Sequence, residues 1–155
     1  MSELAVPPGL FTAFPSLTRS CIEVTSPRDP RYNCVAWAAG ESFRWWWPDA
    51  LETCYWPPEV PREESLEAFV RAFGTLGYET CADGSLDSAY EKLAIFASRR
   101  VPTHVARQLA DGNWTSKLGK SVDLSHFIDG LDGEVYGAVV QFMCKTSGST
   151  PRNFG

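Results

Sequence analysis

Residues Leu93–Leu118 read LAIFASRRVPTHVARQLADGNWTSKL. Leu93–Ala97 (LAIFA) is an apolar run of strand length. Thr103–Leu109 (THVARQL) and Trp114–Leu118 (WTSKL) flank Asp111-Gly112, a strong hairpin signal. Successive strands joined by short turns predict an antiparallel sheet. His104 falls near the start of the second strand, a position expected at an exposed edge or end of the sheet. Register is open at this level. A two-residue loop at Asp111-Gly112 puts Lys117 on the face of His104, whereas a three-residue loop puts Ser116 there.

On the N-terminal side, Pro61–Gly77 holds Leu66, Phe69, Val70 and Phe73 at helical spacing. Pro61 suits the first turn of that helix, Glu63 and Glu64 suit its positive end, and Gly77 suits its stop. Before it, Phe43–Pro58 (FRWWWPDALETCYWPP) is an aromatic loop, because its three prolines forbid long regular structure. Asn33 stands as an N-cap ahead of a short helix, Cys34–Gly40 (CVAWAAG), that Gly40 ends. Residues 1–31 lack periodicity and read as an irregular arm. On the C-terminal side, Tyr78–Cys81 reads as a short strand, Asp123–Leu131 as a helical turn and Val135–Met143 as the last strand. Residues 146–155 read as a flexible tail. Helices followed by antiparallel strands predict one α+β domain over residues 1–155.

The 44% apolar and 21% charged residues describe a chain able to close a core rather than a disordered one. A net charge of -5 without a basic run gives nucleic-acid binding no support. No apolar run approaches the roughly 20 residues that span a bilayer, so no membrane partner is expected. The first 17 residues lack a basic n-region and carry Pro7, Pro8 and Pro15, unlike a secretory signal. Five cysteines at irregular spacing without C-x-x-C argue against a disulfide framework and for a reduced cytoplasm. Two histidines and no paired short Cys/His spacing give no metal motif.

What carries chemistry is Cys34 behind Asn33. A thiol in the first turn of a helix faces free backbone N–H groups and the positive dipole end, which favour a thiolate and, together with the Asn33 side chain, offer donors to an oxyanion. The base has two candidates, His104 and His126. A third polar group to orient the imidazole comes from Ser116, Lys117, Asp123 or His126. Lys117 has two further roles open: holding a substrate carboxylate or favouring the thiolate. Trp37 lies one turn after Cys34 along much the same side, and is a candidate to meet the substrate although core packing is the ordinary role there. Trp45, Trp46 and Trp47 cannot all face inward, so a ring is available to line a substrate cleft or a partner surface.

NCVAWA (residues 33–38) resembles the Cys-bearing helix of papain-like hydrolases, including the NlpC-type and CHAP-type amidases. LAIFA followed by THVARQLADGNWTS resembles their strand pair, and the order Cys, His, then a polar residue 12 positions on also matches. The resemblance covers residues 33–40 and 92–118. It implies a papain-like core with Cys34 as nucleophile, His104 as base and no metal or cofactor. The third position, usually His, Asn or Gln, is Ser116 here, which leaves that role open. SKLG with the later His126 and Tyr136-Gly137 resembles lesser-known branches. The whole chain, through YNCVAWA, YWPPEVPREE and TSKLG, is similar to a bacterial family of unknown function.

Two functions follow as expectations. One is a thiol hydrolase or acyl-transferase acting on a peptide, a peptidoglycan stem or a side-chain amide. The other is an inactive binding module that meets a protein partner through Trp45–Trp47. An effector or toxin domain, exported without a leader peptide, is a third expectation by analogy alone.

Overall fold

The structure is a computed structural model and describes residues 4–17 and 22–147. In chain order it comprises α1 (Leu10–Ala13), β1 (Glu23–Ser26), α2 (Cys34–Ala38), α3 (Leu66–Gly74), β2 (Glu79–Cys81), β3 (Tyr90–Ser98), β4 (Val101–Gln108), β5 (Trp114–Lys117), β6 (Asp123–His126) and β7 (Ala138–Thr146). The strands form one open antiparallel sheet in the order β1-β6-β5-β4-β3-β7-β2. Helices are few and short, so the α+β class holds only in the sense of small helices laid on a strand-rich core. No helix among the described residues is long and apolar enough to cross a membrane.

Each face of the sheet carries its own core. On one side α2 and α3 pack with Trp46 and Trp56 over Leu93, Ile95, Val105 and Met143. On the other, α1 and Leu17 cover Ala94, Phe96, Ala106, Trp114 and Leu124. Alternate residues of β3 thus feed opposite cores, which explains why LAIFA is apolar throughout.

Helix α2 begins where expected, with Asn33 Oδ1 accepting from the Ala36 N–H at 3.2 Å. Helix α3 starts later than Pro61. Ser65 caps it by accepting from the Ala68 N–H, and Gly74 is its last residue. A serine that satisfies an orphan N–H outcompetes a proline that merely tolerates the first turn.

Three expectations are corrected. Asp123–Leu131 is not a helical turn, because Asp123–His126 is β6, paired on both sides by β1 and β5. Residues 1–31 are not wholly irregular, since α1 and β1 lie within them. Thr146 belongs to β7, and of the expected tail residues 148–155 lie outside the described residues.

The hairpin closes with three residues between Leu109 and Asn113. Gly112 stands at φ 95, and the Leu109 N–H donates to the Asn113 carbonyl. Backbone pairing of β4 with β5 covers only Arg107↔Thr115 and Gln108↔Trp114. Beyond that the two strands part, toward the start of β4. β4 also carries a bulge there: Pro102 opposes Ala97 and His104 opposes Phe96, leaving Thr103 extra.

Candidate active site

At this splayed end of β4 lies a hollow of about 290 Å³ lined by Asn33, Cys34, Trp45, Trp47, Thr103, Gly119 and Tyr136. Cys34 is 6% exposed and reaches it from the mouth of α2. Burial pushes its thiol up to about 11, opposed by the N–H groups of Val105, Val35 and Cys34 and by the Lys117 charge. The expected thiolate-favouring effect of the helix end is therefore present but loses to desolvation. A five-residue helix supplies little macrodipole.

His104 is neither at an edge nor exposed. β4 is the middle strand of the seven, and the residue is fully buried. The three-residue loop brings Ser116 to its face. Ser116 Oγ lies 2.8 Å from His104 Nε2 and 2.7 Å from His126 Nε2. His126 Nδ1 lies 2.6 Å from the Phe127 carbonyl oxygen.

That carbonyl orders the protons. It only accepts, so His126 Nδ1 carries the hydrogen and His126 Nε2 is bare. Ser116 donates to that bare nitrogen and accepts from His104 Nε2–H. His104 Nδ1 is left as an unprotonated lone pair, buried and without a hydrogen-bond partner among the described residues. Burial holds both rings neutral: His126 is lowered to about 4 and His104 falls well below the usual histidine value.

Tyr136 lies flat on the His104 ring, centroids 4.0 Å apart and planes 15° from parallel, while Phe96 meets that ring edge-on at 5.3 Å. Sequence reasoning did not single out Tyr136 as a site residue. The available signal was Tyr136-Gly137 just before the last strand. Gly137 has φ 77, and a Cβ there would overlap the Ala97 carbonyl oxygen, so the glycine seats Tyr136 against β3 and β4. Thr103, also missed, donates its hydroxyl to the Tyr136 carbonyl.

Cys34 packs with the α2 and α3 side of the sheet, whereas Phe96 and Tyr136, which hold His104, pack on the α1 side. Cys34, Thr103 and Tyr136 all line the hollow, whereas His104 does not and reaches it only behind the Tyr136 ring that lies on it. No hydrogen bond joins the sulfur to His104 in this arrangement, whose Nδ1 has no partner among the described residues.

The remaining expected residues are placed as follows. Lys117 does not face the hollow. Its Nζ donates to the carbonyls of Asp29, Tyr32 and Gly119 at 2.6, 2.9 and 2.7 Å, below the Tyr32 ring at 4.4 Å. It has no donor left for a substrate carboxylate, although its charge favours the Cys34 thiolate. Asp123 accepts from Tyr32 and Thr25 and does not orient His104. Asn33 Nδ2 donates to the Trp46 carbonyl, so the side chain is not free to bind an oxyanion.

Of the tryptophans, Trp45 and Trp47 line the hollow. Trp46 does not. It is 2% exposed, with Nε1 bonded to Glu41, and belongs to the core. Trp37 anchors α2 to β5 through Thr115 Oγ1 at 2.9 Å. Among the described residues no group of three or more His, Cys, Asp and Glu side chains could hold a metal ion.

Comparison with known proteins places residues 23–144 within a domain of unknown function, DUF7689, and the chain belongs to that family. No curated protein and no solved structure matches it.

Proposed function

We propose that this member of a family without an assigned activity is a thiol hydrolase or acyl-transferase that forms an acyl-enzyme on Cys34. The observation that carries the reading is the bare Nδ1 of His104, unpartnered among the described residues and set by a relay through Ser116 and His126, one residue along β4 from Thr103, which lines the hollow together with Cys34. A buried nitrogen lone pair without a partner is costly, and a base awaiting its proton explains it. The order of a Cys-bearing helix, a His-bearing strand and a polar residue on the next strand also supports the finer papain-like reading of the fold.

In the proposed reaction Nδ1 takes the thiol proton as sulfur attacks an amide carbonyl. The C–S bond forms, the C–N bond breaks, and the amine leaves with the proton from Nδ1. Water then gives a proton to Nδ1 as its oxygen attacks the thioester; the C–O bond forms, the C–S bond breaks, the acid leaves, and the proton on Nδ1 returns to the sulfur to restore the thiol. Throughout, Nε2–H stays on Ser116, which steadies the transient imidazolium. Resting thiol and imidazole are both neutral and not bonded to each other, so a substrate filling the hollow must bring them together, as catalytic contacts often tighten only in the complex.

Incubation with p-nitrophenyl acetate followed by peptide mass mapping tests this. An acetyl thioester on Cys34, absent from Cys34→Ala, is expected. Acetylation spread evenly over the cysteines, or missing from Cys34, would overturn it.

A second reading has its own support. The raised thiol and the imidazole held among rings of the other core suit an unreactive binding module that presents Trp45 and Trp47. Under that reading Cys34→Ser leaves partner capture intact and the two tryptophan substitutions abolish it.

A further inference from the structure

We infer that the hollow beside Cys34 accepts an uncharged acyl group bearing an aromatic or branched aliphatic side chain, and rejects carboxylates and ammonium groups; the inference rests on the hydrolase reading. Among the described residues no Asp, Glu, Lys or Arg lines the hollow. Its walls are the rings of Trp45 and Trp47 and that of Tyr136.

Two of these walls, Trp47 and Tyr136, are held in place before any ligand arrives. The Trp47 indole donates to Glu64 at 3.2 Å and meets Phe69 edge-on at 5.4 Å. Tyr136 is held flat on His104. Preformed aromatic walls favour ring and branched groups, which bury area against them at little entropic cost.

The amide, threonine hydroxyl and ammonium groups nearest the hollow are already spent. Asn33 uses both ends of its amide on Ala36 and Trp46. Thr103 donates its hydroxyl to the Tyr136 carbonyl, and Lys117 gives its ammonium to three carbonyls. A charged side chain entering here would shed its water and find no counter-charge. A peptidoglycan stem, which carries free carboxylates, is therefore a poor match. At about 290 Å³ the hollow is at the small end of ligand pockets, with room for one acyl side chain rather than an extended peptide.

The test compares alkylation of Cys34 by N-acetyl aminoacyl chloromethyl ketones that differ only in side chain: phenylalanyl, leucyl, glutamyl and lysyl. Phenylalanyl and leucyl reagents should react at least roughly tenfold faster than the charged pair, the scale of discrimination a hydrophobic pocket gives. Trp45→Ala and Trp47→Ala should each move that ratio toward one. Trp45→Arg should raise the glutamyl rate, which guards against a variant that merely folds poorly. Equal or faster reaction of a charged reagent at Cys34 in the parent chain overturns the substrate class and leaves the hydrolase reading standing. If no reagent modifies Cys34, both fall.

Discussion

The ring of Tyr136 stacks directly on the imidazole of His104, with centroids 4.0 Å apart. This contact is one reason the imidazole is shut away from water and held neutral. Tyr136→Ala should therefore let water reach the ring and raise its pKa toward the free value near 6.5. Proton NMR titration of the His104 ring would register the change. A ring that still refuses a proton at about pH 5 in the variant would show that Tyr136 does not control it.

Ser116 links the two rings through its hydroxyl. In Ser116→Ala the His104 Nε2–H and the bare His126 Nε2 both lose a partner in a buried place. The expected loss is about 1–3 kcal/mol for each group left unsatisfied, measured by urea unfolding. Thr at this position keeps the hydroxyl and should recover most of it. A Ser116→Ala protein as stable as the parent would mean the relay contributes nothing to the fold.

Histidine burial also sets a pH dependence. His126 is lowered to about 4 in the folded chain and returns to about 6.5 on unfolding. The unfolded state binds the extra proton between those values, so stability is full above about pH 6.5 and falls as pH drops toward 4. His126 alone supplies roughly 3 kcal/mol of that fall, and His104, shifted in the same direction, adds to it. Carboxylates whose pKa is lowered in the fold, such as Asp29 and Asp83, lose their contribution only at lower pH. Unfolding at a series of pH values should show this slope. A flat profile between about pH 4 and 6.5 would contradict the neutral relay.

Lys117 ties the segment before Cys34 to the sheet. Its ammonium is the shared donor for carbonyls of Asp29, Tyr32 and Gly119. Lys117→Met keeps the stem and removes the donors, at a cost of at least about 2 kcal/mol in urea unfolding. The loss should also loosen the approach to α2, seen as faster amide exchange at Asn33 and Cys34. Unchanged stability would mean those carbonyls find water instead.

Local chemistry made part of this legible in the sequence. The Asn33 cap, the start of α2 and the turn at Gly112 depend on neighbours in the chain, and each appeared where its residues implied. The partnership of His104 with Ser116 needed one further fact, the loop length, which the sequence leaves open. What stayed hidden depends on distant pairing. Asp123–His126 becomes a strand because β1, some hundred residues earlier, pairs with it. His104 is central because β3 and β7 continue the sheet beyond it. Trp46 is buried because Asn33 and Glu41 hold its backbone and its indole, and no pattern within WWW distinguishes it from Trp45 or Trp47.

The most direct measurement is the rate of Cys34 acylation by p-nitrophenyl acetate in the parent chain and in His104→Gln. If Nδ1 of His104 is the base, the parent rate exceeds the variant rate by at least about 100-fold, the usual minimum for general-base assistance. Equal rates in the two proteins would contradict the account, because the sulfur would then be reacting without the imidazole.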